Sequence, residues 1–411
     1  MTAPVACRLC QAPLSTTFVD LGATPLANAY LRPDDNEAEE LRYPLHALVC
    51  DRCLLVQLEA MVSPATLFED YAYFSSYSDS WVEHGRRFAI AAVADLGLGP
   101  DSLVLEVASN DGYLLQHFVA AGIPVLGIEP AANVAAAAVA RGIPTETAFF
   151  GLETASDLVA RGRTADLIAA NNVLAHVPDL HDFVSGLAAV LKPSGTLSIE
   201  FPHLLRLMEQ VQFDTIYHEH FSYFSLLTAE QALTWHGLAV VDVEQLPTHG
   251  GSLRVWAAHA DAGRPASARV LKLHKLEQDA GLHTLAAYSG FGARVDRLRQ
   301  GALGFLQEAK AAGRTTVAYG AAAKGNTLLN YFGITPADLA YVADRSTEKQ
   351  GRRLPGSHLP VVAPERIFES RPDFVVILPW NLHQEVSAQL AGIAEWGGRF
   401  VTFVPEVRVS G

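Results

Sequence analysis

The stretch SLVLEVASNDGYLL, Ser102 to Leu115, decides how this chain is read. Leu103 to Val107 has the length and apolar content of a buried strand, with one carboxylate, Glu106, near its end. Asn110-Asp111-Gly112 makes a turn, and the residues after it open a helical run, DGYLLQHFVAAG. Small residues in such a turn, Ala108 and Gly112 among them, let a ligand approach the backbone, and the helix N-terminus offers free N–H groups. The next strand, LGIEP, ends on Glu129.

Working outward, the alternation continues through NVAAAAVARG, ADLIAANNVLAHV, FVSGLAAVLKPSG and TLSIEFP. Strands alternating with helices imply parallel βαβ units and a doubly wound α/β sheet. That core is expected to run to about residue 260. After a long helical stretch near 263–312 the pattern resumes with TTVAYG, AAAKGNTLLNYFG, LAYVADRS, FVVILPW and RFVTFV, so a second, smaller Rossmann-like domain closes the chain. Upstream, residues 1–70 are short apolar segments broken by Pro, Asp and Asn, a small β-rich unit that needs a staple. The expected domains are 1–70, 71–260 with a bridging segment at 71–97, and 261–411.

The staple is visible. All four cysteines fall in the first 53 residues of a 411-residue chain, as Cys7-x-x-Cys10 and Cys50-x-x-Cys53. Two such turns supply the four thiolates of one tetrahedral structural zinc, with no position left open for catalysis. The intervening loop is longer than in a common ribbon and must carry structure of its own.

Half of the residues are apolar and 18% are charged, the balance of a folded chain. Thirty Lys and Arg against 44 Asp and Glu leave a net charge of −14, which removes any global electrostatic reason to bind nucleic acid or an anionic membrane. The N-terminus MTAPVACRLC lacks the apolar run of a signal peptide, and no segment approaches the ~20 apolar residues of a membrane helix, so a cytoplasmic protein is expected.

Glu106 and Glu129 end successive strands, and the second can hold both hydroxyls of a ribose. Without a GxGxxG signature, this is the arrangement with which a class I methyltransferase holds S-adenosylmethionine. Asn171 and Asn172, after the strand ADLIAA, belong to the usual edge of the adenine and methionine pocket. The expected cofactor residues are Glu106, Ala108, Asn110, Asp111, Gly112, Glu129, Asn171 and Asn172. The alternative is a Rossmann sheet with another ligand or none.

The densest chemistry is Tyr217-His218-Glu219-His220-Phe221-Ser222-Tyr223, beyond TLSIEFP on the ligand-binding edge. Two histidines, a carboxylate and two tyrosines so close together are costly to bury without function. A polar loop, or core histidines satisfied by carbonyls, is the plain alternative, and HEH lacks the i, i+4 spacing of a helical zinc pair.

The paired CxxC motifs, the ASNDG turn, YHEHFSY, HGGSLR at His249–Arg254 and YGAAAKGNTLLNY together resemble the three-domain zinc-containing sugar C-methyltransferases of deoxysugar pathways, in order and over nearly the whole chain. The resemblance implies a substrate that is a TDP- or GDP-linked keto-deoxysugar, methylated on the carbon next to its ketone, most often carbon 3 and sometimes carbon 5. It also implies that His220 is the base, with Tyr217, Glu219 and an N-terminal tyrosine beside it. Tyr71 is favoured for that tyrosine over Tyr73 and Tyr77. Carbon methylation needs a base because an ordinary C–H is not nucleophilic, and histidine titrates near working pH.

The family's C-terminal domain helps to hold the diphosphate and base of the substrate. Lys324 and Asn326 begin a helix after a strand and could serve there, as could Asp344, Asn381, His249 and Arg254. The rival readings are methyl transfer to oxygen or nitrogen, and a non-catalytic zinc-ribbon and Rossmann binding module.

Overall fold

Strands form where β-branched and leucine runs are bounded by turn residues, and the chain alternates between strand and helix as its pattern predicts. The computed structural model describes residues 5–63 and 74–411, so Tyr71 and Tyr73 lie outside the described residues. Contacts group the chain into two units. The first is Met1–Leu14, Cys50–His203 and Phe221–Ala287; the second is Ser15–Val49, Leu204–His220 and Tyr288–Gly411.

In the first unit α1 (Asp79–Leu96) leads into β1 (Val104–Val107), α2 (Leu115–Ala120), β2 (Val125–Ile128), α3 (Ala132–Ala140), β3 (Thr145–Glu146) and α4 (Leu152–Ala160). It continues with β4 (Ala165–Asn171), α5 (Leu180–Val190), β5 (Leu191–Pro202), α6 (Leu226–Thr234), β6 (Leu238–Leu246), β7 (Ser252–His259) and α7 (Ala268–Asp279). The seven strands lie in the order β6-β7-β5-β4-β1-β2-β3. β1 to β5 are parallel, whereas β7 runs antiparallel to both neighbours. This is the order of a class I methyltransferase sheet. β1 has β2 on one side and β4 on the other, so strand order reverses at β1 and opens a crevice beyond the strand ends, where α/β sheets bind ligands.

The segment expected to bridge domains becomes α1, capped by the Ser78 side chain and ended by Gly97 in the left-handed region. Phe88, Ala89 and Ala92 pack its buried face against Tyr113, Leu114 and Phe118.

The second unit contains an antiparallel pair, Thr16–Thr24 with Tyr43–Val49. It also contains α8 (Phe291–Ala311), β8 (Thr316–Tyr319), α9 (Ala323–Phe332), β9 (Val342–Ala343), β10 (Val361–Val362), α10 (Glu365–Ser370), β11 (Phe374–Ile377), α11 (His383–Gln389), β12 (Arg399–Thr402) and β13 (Arg408–Ser410). Its sheet order is β10-β9-β8-β11-β12-β13, parallel except for the last strand. Phe18 stacks on Phe291 at 4.5 Å between centroids and Phe213 on Phe332 at 5.4 Å, which seats the turn Phe213–Thr215 on α9.

The helical stretch near 263–312 is not continuous. Gly281 and Gly290, both at positive φ, separate α7 from α8 with a short 3-10 turn between them.

Candidate active site

The cysteines build two matching knuckles. Gln11 N–H donates to Cys7 O and Leu54 N–H to Cys50 O, both at 2.9 Å, and Gln11 and Leu54 each take positive φ. The four buried sulfurs lie within 4.8 Å of one another, with Cys7 and Cys53 3.5 Å apart and Cys10 and Cys50 likewise. The hydrogen bond from Cys53 brings the Cys7 thiol down to about 4 and raises Cys53 in turn, while burial raises Cys50. Four soft ligands closing on one point fit zinc. Arg8, inside the first knuckle, donates to Leu58 O at 2.7 Å, to Ser222 Oγ at 3.1 Å and to Phe221 O. The zinc site thereby holds the chain just past the YHEH segment.

At the crevice beside β1, Ala108, Asn110, Gly112 and Asn172 all take positive φ. A side chain at Gly112 would collide with Ile143, and a Cβ at Gly127 would lie 2.9 Å from the Ser109 Cβ, so backbone and side chains are in close contact there. Glu129 accepts from the N–H groups of Asn110 and Ala131, both at 2.9 Å. Buried Glu106 Oε2, Ser109 Oγ, Asn171 Oδ1 and Asn172 Oδ1 have no hydrogen-bond partner among the described residues. Burial, then Glu129 and Asp111, push the Glu106 carboxyl well above its ordinary range. Unpaired buried acceptors of this kind demand donors. A cationic ligand rich in N–H and O–H groups fits them, and S-adenosylmethionine is one.

Two expected cofactor residues are partly committed elsewhere. Asp111 pairs with Arg141 at 3.2 Å and with the Ser76 hydroxyl, while Asn110 Oδ1 accepts from Ser75 N–H at 2.8 Å. Ser75, Ser76 and Ser109 carry no composition or periodicity signal that singles them out.

In the second unit the catalytic candidates meet. The His220 ring is held by Thr215 O at Nδ1 and by the Tyr217 hydroxyl at Nε2, each at 2.8 Å. A carbonyl only accepts, so Nδ1 carries the proton and Nε2 is the basic atom, with the Tyr217 hydroxyl donating to it. Glu219 is buried, its Oε1 accepts from Asn28 Nδ2 at 2.6 Å, and burial pushes its carboxyl up to about 7. His218 faces the carbonyls of Tyr43 and Pro44, and burial lowers its pKa, so it is a neutral structural histidine. Tyr77 is 75% exposed and stacks on Phe74.

The substrate candidates divide between the units. In the first, Arg254 is buried in an ion pair with Glu200 at 2.9 Å and lies over the Phe88 ring, while His249 packs against Trp81 at 5.1 Å between centroids. Burial alone would raise Glu200, but its hydrogen bond to His84 and the Arg254 charge leave it below the ordinary range. In the second unit, Asn326 donates to Ala27 O at 3.2 Å and Asp344 accepts from Ala321 and Ser346 N–H groups. Asn381 lies in the 3-10 turn Trp380–Leu382, and the Lys324 Nζ is shielded without a hydrogen-bond partner among the described residues.

Three family models match the chain: "Putative zinc binding domain" at residues 7–68, "Methyltransferase domain" at 81–243 and "C-methyltransferase C-terminal domain" at 247–405. The chain is 36% identical over 403 residues to C-methyltransferase NovU of Streptomyces niveus, covering 98% of this chain and 96% of NovU. It is 24% identical over 169 residues to a ubiquinone biosynthesis O-methyltransferase of Rhodopseudomonas palustris, covering 36% of this chain and 67% of that one. The solved 1,6-didemethyltoxoflavin-N1-methyltransferase of Burkholderia thailandensis aligns at 19% identity and TM-score 0.38, over 50% of this chain and 95% of its own. Identity to NovU from end to end, on a chain with the four-cysteine cluster and the class I sheet, makes this protein a member of the zinc-containing, S-adenosylmethionine-dependent sugar C-methyltransferase family.

Proposed function

We propose that the protein methylates the carbon next to the ketone of a nucleotide-linked 4-keto-deoxysugar, at carbon 3 in preference to carbon 5, with His220 as the base. The observation that carries this reading is the fixed His220 ring, whose Thr215 hydrogen bond leaves Nε2 to take a proton. His220 removes the α proton, the C–H pair becomes the new carbon–carbon double bond, and the carbonyl π electrons move to oxygen. The resulting enolate carbon is the nucleophile. Bound S-adenosylmethionine supplies the electrophilic methyl group, and the residues that would hold it are Glu106, Ala108, Asn110, Asp111, Gly112, Glu129, Asn171 and Asn172.

Tyr217 shares its hydroxyl proton with Nε2 in the resting site and can turn that proton toward the enolate oxygen as His220 becomes charged. Glu219, half protonated near pH 7, can donate to the same oxygen or to a sugar hydroxyl. Lys324 supplies a cation for the diphosphate. Tyr71 is retained as the N-terminal partner of the site on the family resemblance alone.

The test is an assay in heavy water with S-adenosylmethionine and TDP-4-keto-6-deoxyglucose or its 3-amino and 2-deoxy relatives. Protein-dependent deuterium uptake at the α-carbon of unreacted substrate, with a gain of one carbon-bound methyl, is expected. His220→Asn should lose both by ~10²–10⁴-fold while still binding S-adenosylmethionine. A methyl on oxygen or nitrogen would overturn the proposal.

A further inference from the structure

The turn Phe213–Thr215 carries a carboxylate that this reaction does not use. Asp214 is fully buried, its Oδ2 accepts from Trp380 Nε1 at 2.7 Å, and its Oδ1 has no hydrogen-bond partner among the described residues. The Lys324 Nζ, at the start of α9, is also shielded, has no hydrogen-bond partner among the described residues, and lies 5.3 Å from the Trp380 ring centroid. A shielded ammonium with no acceptor keeps its charge only if an anion is near. Burial lowers the Lys324 pKa, and the Asp214 charge is what opposes that. Burial in turn raises the Asp214 carboxyl, to about 6, and the Lys324 charge opposes that. Trp380 touches both groups, its N–H bonding Asp214 and its ring lying beside Lys324, and each group is the charge that opposes the effect of burial on the other. Thr215, the next residue, holds His220 Nδ1.

We infer that Asp214 is a positioning residue for the methyl transfer: from the turn that orients the His220 ring, it fixes the Trp380 indole and provides the counter-charge for Lys324 without occupying its N–H donors. The ammonium is thus charged yet uncommitted, as a group that meets an anionic substrate must be. The inference rests on the proposed contact between Lys324 and the substrate.

Asp214→Asn keeps an acceptor for Trp380 and removes the charge, so it separates geometry from electrostatics. It should be compared with Lys324→Met and with the double variant in the full-length, zinc-loaded protein, using the TDP-ketosugar assay. The expected result for Asp214→Asn is a fall of roughly tenfold in kcat/KM, the scale of one charged hydrogen bond. The fall should come mainly through KM, with an unchanged Kd for S-adenosylmethionine. The alkaline limb of kcat/KM should move to lower pH, because Lys324 without its counter-charge deprotonates earlier. Adding Asp214→Asn to Lys324→Met should cost little more. If Asp214→Asn has the wild-type KM and pH profile while Lys324→Met raises KM, the inference fails alone. If Lys324→Met leaves KM unchanged, the substrate contact beneath it fails. Should Asp214→Asn melt early, Trp380→Phe removes the indole N–H together with part of the ring beside Lys324; a few-fold rise in KM with an unchanged Kd for S-adenosylmethionine supports the positioning role, and an unchanged KM overturns it.

Discussion

The β1–α2 and β8–α9 turns are the same device, a parallel strand delivering a helix N-terminus, yet they treat their polar groups in opposite ways. Around β1 four shielded polar atoms, on Glu106, Ser109, Asn171 and Asn172, have no partner among the described residues. Around β8 the turn closes on itself. Ala321 N–H donates to Asp344 at 2.7 Å, while Ala321 O accepts from the Tyr30 hydroxyl at 2.6 Å and from Lys349 Nζ at 2.8 Å. Asn326 is spent on Ala27. The Lys324 Nζ is shielded and has no hydrogen-bond partner among the described residues. A turn of the first kind holds a ligand by many directed bonds, and one of the second kind offers it charge.

The harshest way to break this comparison is to dismantle one unit. Cys50→Ser removes a ligand from a type of site that contributes ~10–16 kcal/mol in isolated zinc peptides. Hydrogen exchange should rise across residues 5–14 and 50–58, where the knuckles and the Arg8 bonds lie, while β8 and α9 keep their protection. Equal loss in both units would mean that the two turns stand or fall together and cannot be compared as independent sites.

Glu219 gives the next largest effect and belongs to the second unit alone. Its folded pKa of about 7 lies above the ordinary 4.5 because the carboxyl is buried, a rise that the hydrogen bond from Asn28 only partly offsets. A raised carboxyl favours folding below pH 4.5, and that contribution is lost as pH rises through 7, by up to about 3 kcal/mol. Glu219→Gln keeps the Asn28 bond and cannot ionise. Its urea-unfolding free energy should therefore fall less than the wild type's between pH 4.5 and 7.5; parallel curves would show that Glu219 titrates alike in the folded and unfolded chain.

These contrasts mark what sequence could disclose. The cysteine spacing and the strand with Glu106 near its end are local signals, and each led to the element it predicts. Asn28 with Glu219 and Trp380 with Asp214 are 191 and 166 residues apart. No periodicity links such pairs; only the folded chain brings them together. The neutral role of His218 was equally hidden, because it depends on two carbonyls of a distant strand. Arg254 is a similar case: HGGSLR marks it as exceptional, but its ion pair with Glu200 depends on the antiparallel register of β7 on β5.

The comparison is sharpened most directly by matched carboxylate truncations. Glu129→Ala removes an acceptor from the cofactor crevice, and the loss of a charge-assisted bond should raise the Kd for S-adenosylmethionine roughly ten- to hundredfold by calorimetry. Asp344→Ala should leave that Kd unchanged. Its two oxygens bind Ala321 and Ser346 N–H groups, so its loss should appear as a drop of roughly 1–2 kcal/mol in stability. A weakened KM for the ketosugar in Asp344→Ala, with stability intact, would show that β8–α9 offers the substrate a directed bond as well as charge, and the distinction between the two turns would then be one of degree.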